Sequence, residues 1–367
     1  MPFNNFFSNK KILITGNTGF KGSWLTAWLL KLNAEIVGIS KDIPTNPSMF
    51  EELELANKIK HYQEDITNRD KIDLIIHDEK PDIVFHLAAQ AIVSQSYEDP
   101  LETINTNVIG TANILDSLKN YKKDCSVVII TSDKCYDNVE WPWGYKETDR
   151  LGGKDIYSGS KGAAELIINS YVNSFFDNHK HIKIAVGRAG NVIGGGDWAK
   201  DRIIVDCVNS WSKGNPVEIR SPDATRPWQH VLEPLSGYLL LAKRTSEGVI
   251  DQGNPYNFGP KSAQNKTVLE LLKDLSSFWD LKPEAAFSIT DNVTFYEAGL
   301  LKLNCDKALL ELKWEPTLNY KETVKMIGEW YKERMKKSND MYTFSIQQID
   351  TYEDFAKSRL MVWNDEQ

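Results

Sequence analysis

The sequence has few residues of the kinds that hold metals or form disulfide frameworks. Its four cysteines lie far apart and form no CxxC pair, and none of its six histidines takes part in an HxH or HExxH pattern. This spacing argues against a zinc site and against a small disulfide-rich secreted fold. We therefore expect no bound metal and a reducing, cytoplasmic environment.

The sequence also lacks an excess of positive charge and a long apolar run. Lys plus Arg number 43 against 51 Asp plus Glu, which leaves a net charge of −8. Proteins that coat nucleic acid usually carry a basic excess, so no nucleic-acid partner is expected. No stretch approaches the ~18 apolar residues of a membrane span, and the N-terminus has no signal-peptide pattern. No membrane partner is expected either.

Short apolar runs alternate with helical patterns over the first half of the chain. The runs predict buried strands, and apolar residues at helical spacing predict the helices between them. The strands are expected at 11–15, 35–39, 82–87, 127–131 and 184–187, and the helices at 23–32, 105–118 and 157–176. This alternation indicates an α/β fold with a doubly wound parallel sheet of Rossmann type.

The pattern changes after about residue 190, where glycine, proline and tryptophan cluster and short helical patterns follow at 267–278 and 321–336. We interpret this part as a smaller C-terminal substrate-binding lobe. The predicted domains are an NAD-binding domain over 1–190 with a returning segment near 228–260, a substrate-binding lobe over 191–227 and 261–345, and a C-terminal tail over 346–367.

A glycine-rich turn follows the first predicted strand. Gly16, Gly19 and Gly22 stand in the order GNTGFKG. Such glycines permit a tight turn, a close approach of the backbone to a pyrophosphate, and close packing of the next helix, whose N-terminus offers unpaired N–H groups. An ordinary strand–helix turn is the alternative, but the neighbouring strand and helix favour a dinucleotide site.

Two acidic residues are candidates for the adenosine end of that dinucleotide. Asp42 closes the second strand, where a carboxylate binds a ribose 2′-hydroxyl and repels a 2′-phosphate. This favours NAD over NADP, although Lys41 stands beside it. Asp65 and Ile66 suit the adenine edge, but Asp65 is equally well explained as the N-cap of a helix over 68–76.

Tyr157 and Lys161 form the pattern YSGSK at the start of a predicted helix. The i, i+4 spacing places both side chains on one face. A nearby ammonium favours the phenolate, so we expect Lys161 to lower the pKa of Tyr157 towards neutrality and to make it a general base for a sugar hydroxyl. The alternative is a solvated pair.

Four motifs together resemble those of the extended short-chain dehydrogenase/reductase family: GxxGxxG, HLAAQ at 86–90, NVxGT at 107–111 and YxxxK at 157–161. The resemblance covers roughly residues 8–330. It implies NAD as cofactor and catalytic roles for Tyr157 and Lys161, with Lys161 also on the nicotinamide ribose. Further cofactor contacts are predicted at Phe20, Ala88, Ala89, Asn107 and Thr131.

The segment TSDKCY after the strand 127–131 resembles that of the sugar-nucleotide 4,6-dehydratases within this family. The resemblance implies that Ser132 hydrogen-bonds a 4-hydroxyl and that Asp133 protonates a departing 6-hydroxyl. Lys134 stands where a glutamate is commoner. A lysine near other cations is a candidate base for the C5 proton; alternatively, it positions Asp133 or stabilises the enolate.

Longer signatures at 140–161 and 190–206, followed by RPWQHV, resemble the dehydratases that act on CDP-glucose. The resemblance implies a nucleotide-sugar partner bound by Asn191, Arg202 and Arg226, although Arg202 is also a candidate for a surface ion pair. A 4,6-dehydratase or 4-epimerase for another nucleotide sugar, or a non-catalytic dinucleotide-binding protein, are the alternatives. A homodimer is expected through apolar residues on the two helices at 105 and 157, namely Ile109, Ile114, Ile168 and Val172.

Overall fold

A seven-stranded parallel sheet forms the centre of the computed structural model, which describes residues 2–261, 264, 266–290, 300–336 and 340–364. The strands are β1 (Lys11–Thr15), β2 (Glu35–Ser40), β3 (Lys60–Gln63), β4 (Ile83–His86), β5 (Cys125–Ile130), β6 (Ile182–Ala189), β7 (Val192–Ile193), β8 (Val217–Ile219), β9 (Thr225–Arg226), β10 (Gln229–His230), β11 (Pro255–Phe258), β12 (Lys266–Thr267) and β13 (Phe287–Ile289). The sheet order is β11-β6-β5-β4-β1-β2-β3, and the six short strands pair in three two-stranded ribbons.

Helices cover both faces of the sheet. They are α1 (Phe20–Lys31), α2 (Met49–Glu52), α3 (Arg69–Glu79), α4 (Val93–Glu98), α5 (Pro100–Ile104), α6 (Thr111–Leu118), α7 (Ile156–Tyr171), α8 (Ile203–Trp211), α9 (Leu232–Ser246), α10 (Val268–Ser276), α11 (Pro283–Ala286), α12 (Tyr320–Met335) and α13 (Met341–Ser358). The strand order reverses between β1 and β4, which is the crevice where doubly wound sheets bind their ligands.

The predicted fold class is confirmed, because all neighbours in the large sheet are parallel and the chain crosses over through helices. The central strands carry almost only buried apolar residues, as expected where both faces are covered. The segment 228–260 supplies α9 and β11, and β11 pairs with β6 at the edge of the large sheet.

The segment 346–367, predicted as a tail, is helical as far as Ser358 and packs against α1. The Trp28 indole donates to Glu353 Oε1 at 2.8 Å, and the ring of Trp363 stacks on Phe3 with 5.2 Å between centroids. Pattern reasoning missed this helix, whose contacts are those of a structural element.

A buried carboxylate in α9 connects that helix to the C-terminal region. Glu233 accepts hydrogen bonds from Thr317 N at 2.8 Å, Leu318 N at 2.5 Å and Tyr352 Oη at 2.9 Å. Its side chain is almost fully buried, and burial raises the pKa of Glu233 to about 7. Within the residues described, no helix is both long and apolar enough to cross a membrane.

Candidate active site

The glycine-rich turn connects β1 to α1 at the crevice of the sheet. Gly16 has φ +75°, and a Cβ there would lie 2.7 Å from Ala88 N. A Cβ on Gly22 would lie 2.1 Å from Gly16 O. Gly19 is the N-cap of α1, with no side chain covering the first N–H groups. The glycine-rich turn therefore has the tight bend and the close helix packing of a dinucleotide-binding turn, and we call it the cradle.

A buried, neutral histidine connects the strands and the helix beside the glycine-rich turn. The hydroxyls of Thr15 and Thr111 hydrogen-bond the two ring nitrogens of His86, at 2.7 and 3.0 Å. Burial lowers the pKa of His86 to about 3, so the ring stays uncharged near neutral pH. This chain of hydrogen bonds joins the ends of β1 and β4 to α6. Ala88 and Ala89 follow on the loop after β4 and are half-buried.

The acidic candidates lie at the ends of β2 and β3. Asp42 is exposed, and its carbonyl accepts from Thr18 Oγ1 at 2.7 Å, which ties it to the glycine-rich turn. Lys41 is paired with Glu102 at 2.7 Å. Asp65 does not cap α3, whose N-cap is Asn68. The N-cap alternative is therefore wrong.

Asp65 instead closes a local turn by accepting from Thr67 N and Oγ1, both at 2.8 Å. Ile66 is buried beside Gly110, where an added Cβ would lie 2.4 Å from its Cδ1. Asn107 is buried and clamps the loop after β4 to α7: its Oδ1 accepts from Gln90 N at 2.8 Å and its Nδ2 donates to Ser160 Oγ at 2.9 Å. The structure thus gives Asn107 a positioning task beside the predicted cofactor site.

The carboxyl end of β5 brings together what we call the sheet-edge group, Ser132, Asp133 and Tyr157. Ser132 Oγ donates to Asp133 Oδ1 at 2.8 Å, and Ser132 lies close enough to the Tyr157 phenol to lower its pKa. Asp133 is 3% exposed, and it borders Gly190, where an added Cβ would lie 2.9 Å from its Oδ2. Three residues that the sequence separates by up to 25 positions therefore meet at the carboxyl end of β5.

The electrostatics of Tyr157 differ from the expectation. Burial raises the pKa of Tyr157 to about 12, and the cation that opposes this rise most is Arg202. Lys161 Nζ lies 6.0 Å from the Tyr157 ring centroid, and burial lowers the pKa of Lys161 to about 8. The expectation that Lys161 brings the pKa of Tyr157 towards neutrality is wrong for the protein by itself, because the desolvation of the buried phenol dominates.

Lys134 follows the sheet-edge group in a short 3-10 turn. Its N–H donates to Ser132 Oγ at 3.3 Å, and its side chain is half-exposed. Across the part of the chain that the structure describes, its ammonium forms neither a hydrogen bond nor an ion pair. Its role as the C5 base stays a prediction.

Thr131 is anchored by a buried ion pair that sequence reasoning missed. Its hydroxyl donates to Glu165 Oε1 at 2.5 Å, and Arg188 Nε and Nη2 donate to the same carboxylate at 2.8 and 2.9 Å. Arg188 Nη1 also donates to Tyr136 Oη at 2.8 Å. An arginine in the otherwise apolar strand β6 and a glutamate on the apolar side of α7 were the signals for this pair, since such charges are rarely buried unpaired.

The segment that follows β6 brings the substrate lobe against α1 and α12. A Cβ on Gly194 would lie 3.0 Å from the tip of the Phe20 ring, and one on Gly195 would lie 2.1 Å from the Trp330 ring. The Trp24 indole donates to Gly195 O at 2.8 Å. Because Gly194 and Gly195 have no side chains, the backbone can pass between α1 and α12 at this point.

The predicted substrate residues occupy different places. Asn191 directly follows Gly190, the residue that borders the carboxylate of Asp133. Arg202 is the N-cap of α8, and its positive charge acts to lower the pKa of Tyr157. No carboxylate of the described residues lies within 4.0 Å of Arg202. This excludes the alternative that Arg202 forms a surface ion pair. Arg226 lies in β9, and its Nη1 donates to Thr225 O at 3.0 Å.

Lys21 is a further charged residue of the cleft that the sequence analysis passed over. It lies in the first turn of α1, half-buried. Enclosure by protein atoms lowers the pKa of Lys21 to about 8, and Arg202, Asp133, Lys161 and Asp197 all act on it. Its place inside GNTGFKG, between Phe20 and Gly22, was the available signal, because a lysine in the first turn of a dinucleotide-type helix opposes the helix dipole.

The sequence model of the GDP-mannose 4,6 dehydratase family matches residues 13–327. The chain belongs to this family, which places it among the sugar-nucleotide-modifying members of the short-chain dehydrogenase/reductases, as the motifs predict. A curated relative, the CDP-glucose 4,6-dehydratase of Salmonella typhimurium, is 44% identical over 352 residues that cover 95% of this chain and 97% of the relative.

Solved structures share the fold. The epimerase Mth375 of Methanothermobacter thermautotrophicus is 21% identical with a TM-score of 0.78, covering 90% of this chain and 95% of that one. The dTDP-glucose 4,6-dehydratase of Bacillus anthracis, solved in complex with NAD, is 20% identical with a TM-score of 0.74, covering 89% and 98%. At these identities the likeness speaks for the fold alone.

Proposed function

We propose that the chain catalyses the NAD-dependent dehydration of CDP-glucose to CDP-4-keto-6-deoxyglucose. The observation that carries this proposal is the 44% identity with a CDP-glucose 4,6-dehydratase over nearly the whole of both chains. The sheet-edge group supports it, since Ser132, Asp133 and Tyr157 lie together at the carboxyl end of β5. Incubating the purified protein with CDP-glucose and identifying the product by mass spectrometry tests it directly; unchanged CDP-glucose would contradict it.

The first step is oxidation at C4 of the glucose. Tyr157 takes the proton of the 4-hydroxyl, and Ser132, which lies beside the phenol, hydrogen-bonds that hydroxyl. NAD, when bound, supplies a two-electron acceptor that takes up a hydride and returns it. Arg202 and Lys161 place positive charge near the phenol, and a positive charge favours the phenolate that the step requires.

The second step is loss of water across C5 and C6. The new 4-ketone acidifies the C5 proton, Lys134 removes it, and Asp133 protonates the departing 6-hydroxyl. Asp133 is buried at the carboxyl end of β5, and its Oδ1 accepts a hydrogen bond from Ser132. In a Lys134→Met variant we expect C4 oxidation to continue and 6-deoxy product to disappear. Wild-type exchange of the C5 proton with solvent in that variant would exclude Lys134 as the base.

A label at C4 distinguishes this route from its alternatives. In CDP-glucose carrying deuterium at C4, the deuterium should appear at C6 of the product, because the same hydride leaves one carbon and returns to the other. A 4-epimerase would retain the label at C4, and a non-catalytic dinucleotide-binding protein would leave the substrate intact. Deuterium loss to solvent would contradict the route.

The nucleotide preference is a separate part of the proposal. We expect kcat/KM for CDP-glucose to exceed the values for TDP-, UDP- and GDP-linked sugars by about 10⁴-fold, the factor available when a wrong base leaves buried polar groups unpaired. Measurement on one enzyme preparation removes differences in active fraction. An equal or higher value for another nucleotide sugar would reassign the substrate and leave the dehydratase chemistry in place.

NAD is the cofactor that the cradle fits, and we propose that Asp42 selects it over NADP. Asp42 follows β2 beside the glycine-rich turn, as a ligand of the 2′-hydroxyl must. Lys41 is engaged by Glu102, so its ammonium is not free to receive a 2′-phosphate. Calorimetric titration with both dinucleotides tests the proposal, and a tighter NADP complex would contradict it.

We propose a homodimer, with an interface that differs from the one first expected. Ile114, Ile168 and Val172 lie in the core of the subunit, so they are unavailable to a partner; of the four predicted residues only Ile109 is exposed. Other apolar side chains on the same helices remain on the surface and support the interface: Leu101, Ile104, Ile156 and Leu166.

Sedimentation equilibrium tests the dimer. We expect twice the 41.8 kDa subunit mass at micromolar concentration, and Leu166→Asp, at an exposed position, should lower the mass without unfolding the protein. A single-subunit mass for the unaltered protein would contradict the dimer. We further propose a cytoplasmic location, which the four unpaired cysteines support; cell fractionation tests it.

A further inference from the structure

Lys21 belongs to the glycine-rich turn in sequence, but its helix face is turned to the substrate lobe. The Phe20 ring, one residue before it, reaches the position where a Gly194 side chain would stand, and the Trp24 indole, three residues after it, donates to Gly195 O at 2.8 Å. Residues three apart on a helix share a face. Lys21 therefore lies where α1 meets the segment 194–202.

Two charged residues of that segment act on Lys21. Asp197 is 7% exposed and its Oδ1 accepts from Ala199 N at 3.1 Å, while Arg202 begins α8. We call Lys21, Asp197 and Arg202 the junction group, because its members come from both lobes. Within the described ranges, neither Lys21 nor Arg202 has a carboxylate within 4.0 Å, so each cation keeps its hydrogen-bonding capacity.

The charges of the junction group select its ligand. Lys21 and Arg202 are like charges, and the positive charge of Arg202 acts to lower the pKa of Lys21. Their repulsion is relieved by an anion that both can reach, and a diphosphate offers several oxygens to a planar guanidinium and to a point-charge ammonium at once. Asp197 offsets part of the positive charge and keeps the two cations near each other.

We propose that Lys21 is a diphosphate ligand, acting together with Arg202 to grip the diphosphate of the nucleotide sugar between the two lobes. This rests on the proposed function. Arg202 also acts on Tyr157, and in a nucleotide sugar the diphosphate is bonded at C1, across the hexose ring from the C4 hydroxyl that Tyr157 deprotonates. One bound substrate can therefore engage Tyr157 and the junction group at the same time.

Calorimetric binding of CDP, cytidine and NAD to Lys21→Met tests the assignment. We expect the dissociation constant of CDP to rise about 10- to 100-fold, the loss typical of one charge-assisted hydrogen bond, while cytidine, which has no phosphate, binds as before. Lys21→Arg, which keeps the charge, should retain most of the CDP affinity. A loss of NAD affinity with unchanged CDP affinity would overturn the proposal, because it would place the Lys21 ammonium on the dinucleotide.

Unchanged binding of CDP to Lys21→Met would overturn the inference, whatever the NAD affinity. Lys71→Met, which removes an exposed lysine from α3, is the matched control for loss of one positive charge. Turnover of CDP-glucose by the unaltered protein keeps the two proposals apart. If the unaltered protein does not convert CDP-glucose but Lys21→Met still loses CDP, the proposed function fails and the diphosphate site stands.

Discussion

The end of β5 and the segment after β6 reach the same cleft but are held by different forces. At β5, polar contacts fix individual atoms: Thr131 is bonded to Glu165, and Glu165 is bonded to Arg188. After β6, packing fixes the backbone, because Gly194 and Gly195 pass between the rings of Phe20 and Trp330 with no room for a side chain. The first kind of support positions individual atoms, and the second positions a stretch of backbone.

We call the end of β5 the polar region and the segment after β6 the packed region. Tyr157→Phe is the strongest test of the polar region. The phenol oxygen is the group that removes the 4-hydroxyl proton, and loss of one general base typically reduces the rate by about 10²–10⁴-fold. Bound NADH should fail to appear when the variant is mixed with CDP-glucose in a stopped-flow instrument. Turnover close to that of the unaltered protein would remove Tyr157 from the mechanism.

Arg188→Met breaks the anchor under Thr131. It leaves Glu165 buried without its partner, and removal of one member of a buried ion pair destabilises a protein by about 3–5 kcal/mol. Urea unfolding should show this loss. The double variant Glu165→Met with Arg188→Met should regain much of the stability, since it buries no lone charge; a loss of under about 1 kcal/mol in the single variant would show that the pair is not an anchor.

Glu233 in α9 is both buried and hydrogen-bonded, and it makes the stability of the protein depend on pH. Its folded-state pKa of about 7 lies above the ordinary glutamate value of 4.5, so the folded protein holds the proton more tightly than the unfolded chain. The stabilisation from this group is full below about pH 4.5 and is lost as the pH rises through about 7, a change of roughly 3 kcal/mol. Glu233→Gln should flatten stability against pH in this window, and an unchanged slope would contradict the assignment.

Gly195→Ala is the mildest test and concerns the packed region alone. The added Cβ meets the Trp330 ring at 2.1 Å, so the segment 194–202 must shift. Overpacking of this kind costs about 1–3 kcal/mol. We expect a raised KM for CDP-glucose, because Arg202 moves with the segment, and little change in kcat, because the sheet-edge group does not. The opposite split between KM and kcat would show that the two regions are not independent.

The polar region was the part that sequence reasoning predicted best. The strand 11–15, the parallel sheet and the residues Ser132, Asp133 and Tyr157 follow from short motifs in which residue type and chemistry coincide. The roles of these residues stay predictions. The direction of the Tyr157 pKa could not be foreseen, because burial is a property of the whole fold and it exceeds the effect of one nearby lysine.

In the sequence, the packed region was recognisable only as a motif, and the motif did not predict which side chains the segment packs against. Nothing in the residues GGGDW predicts that Trp330, which lies 135 positions after Gly195, packs against Gly195. The same holds for the exposed apolar side chains: Ile114 and Ile168 have the pattern of surface interface residues, and only the three-dimensional packing shows that they line the core.

The contact between α1 and α13 has a consequence for the newborn chain. Trp28 and Glu353 are 325 positions apart, so the indole leaves the ribosome long before its acceptor is made. At the usual speed of translation, about 5–20 residues per second, the interval lasts roughly 16–65 seconds. Throughout that time the aromatic side chains of Phe3 and Trp28 lack the cover that the C-terminal segment gives them. Uncovered aromatic side chains of this kind are what chaperones bind. The packing of α1 is therefore completed only after α13 has been made.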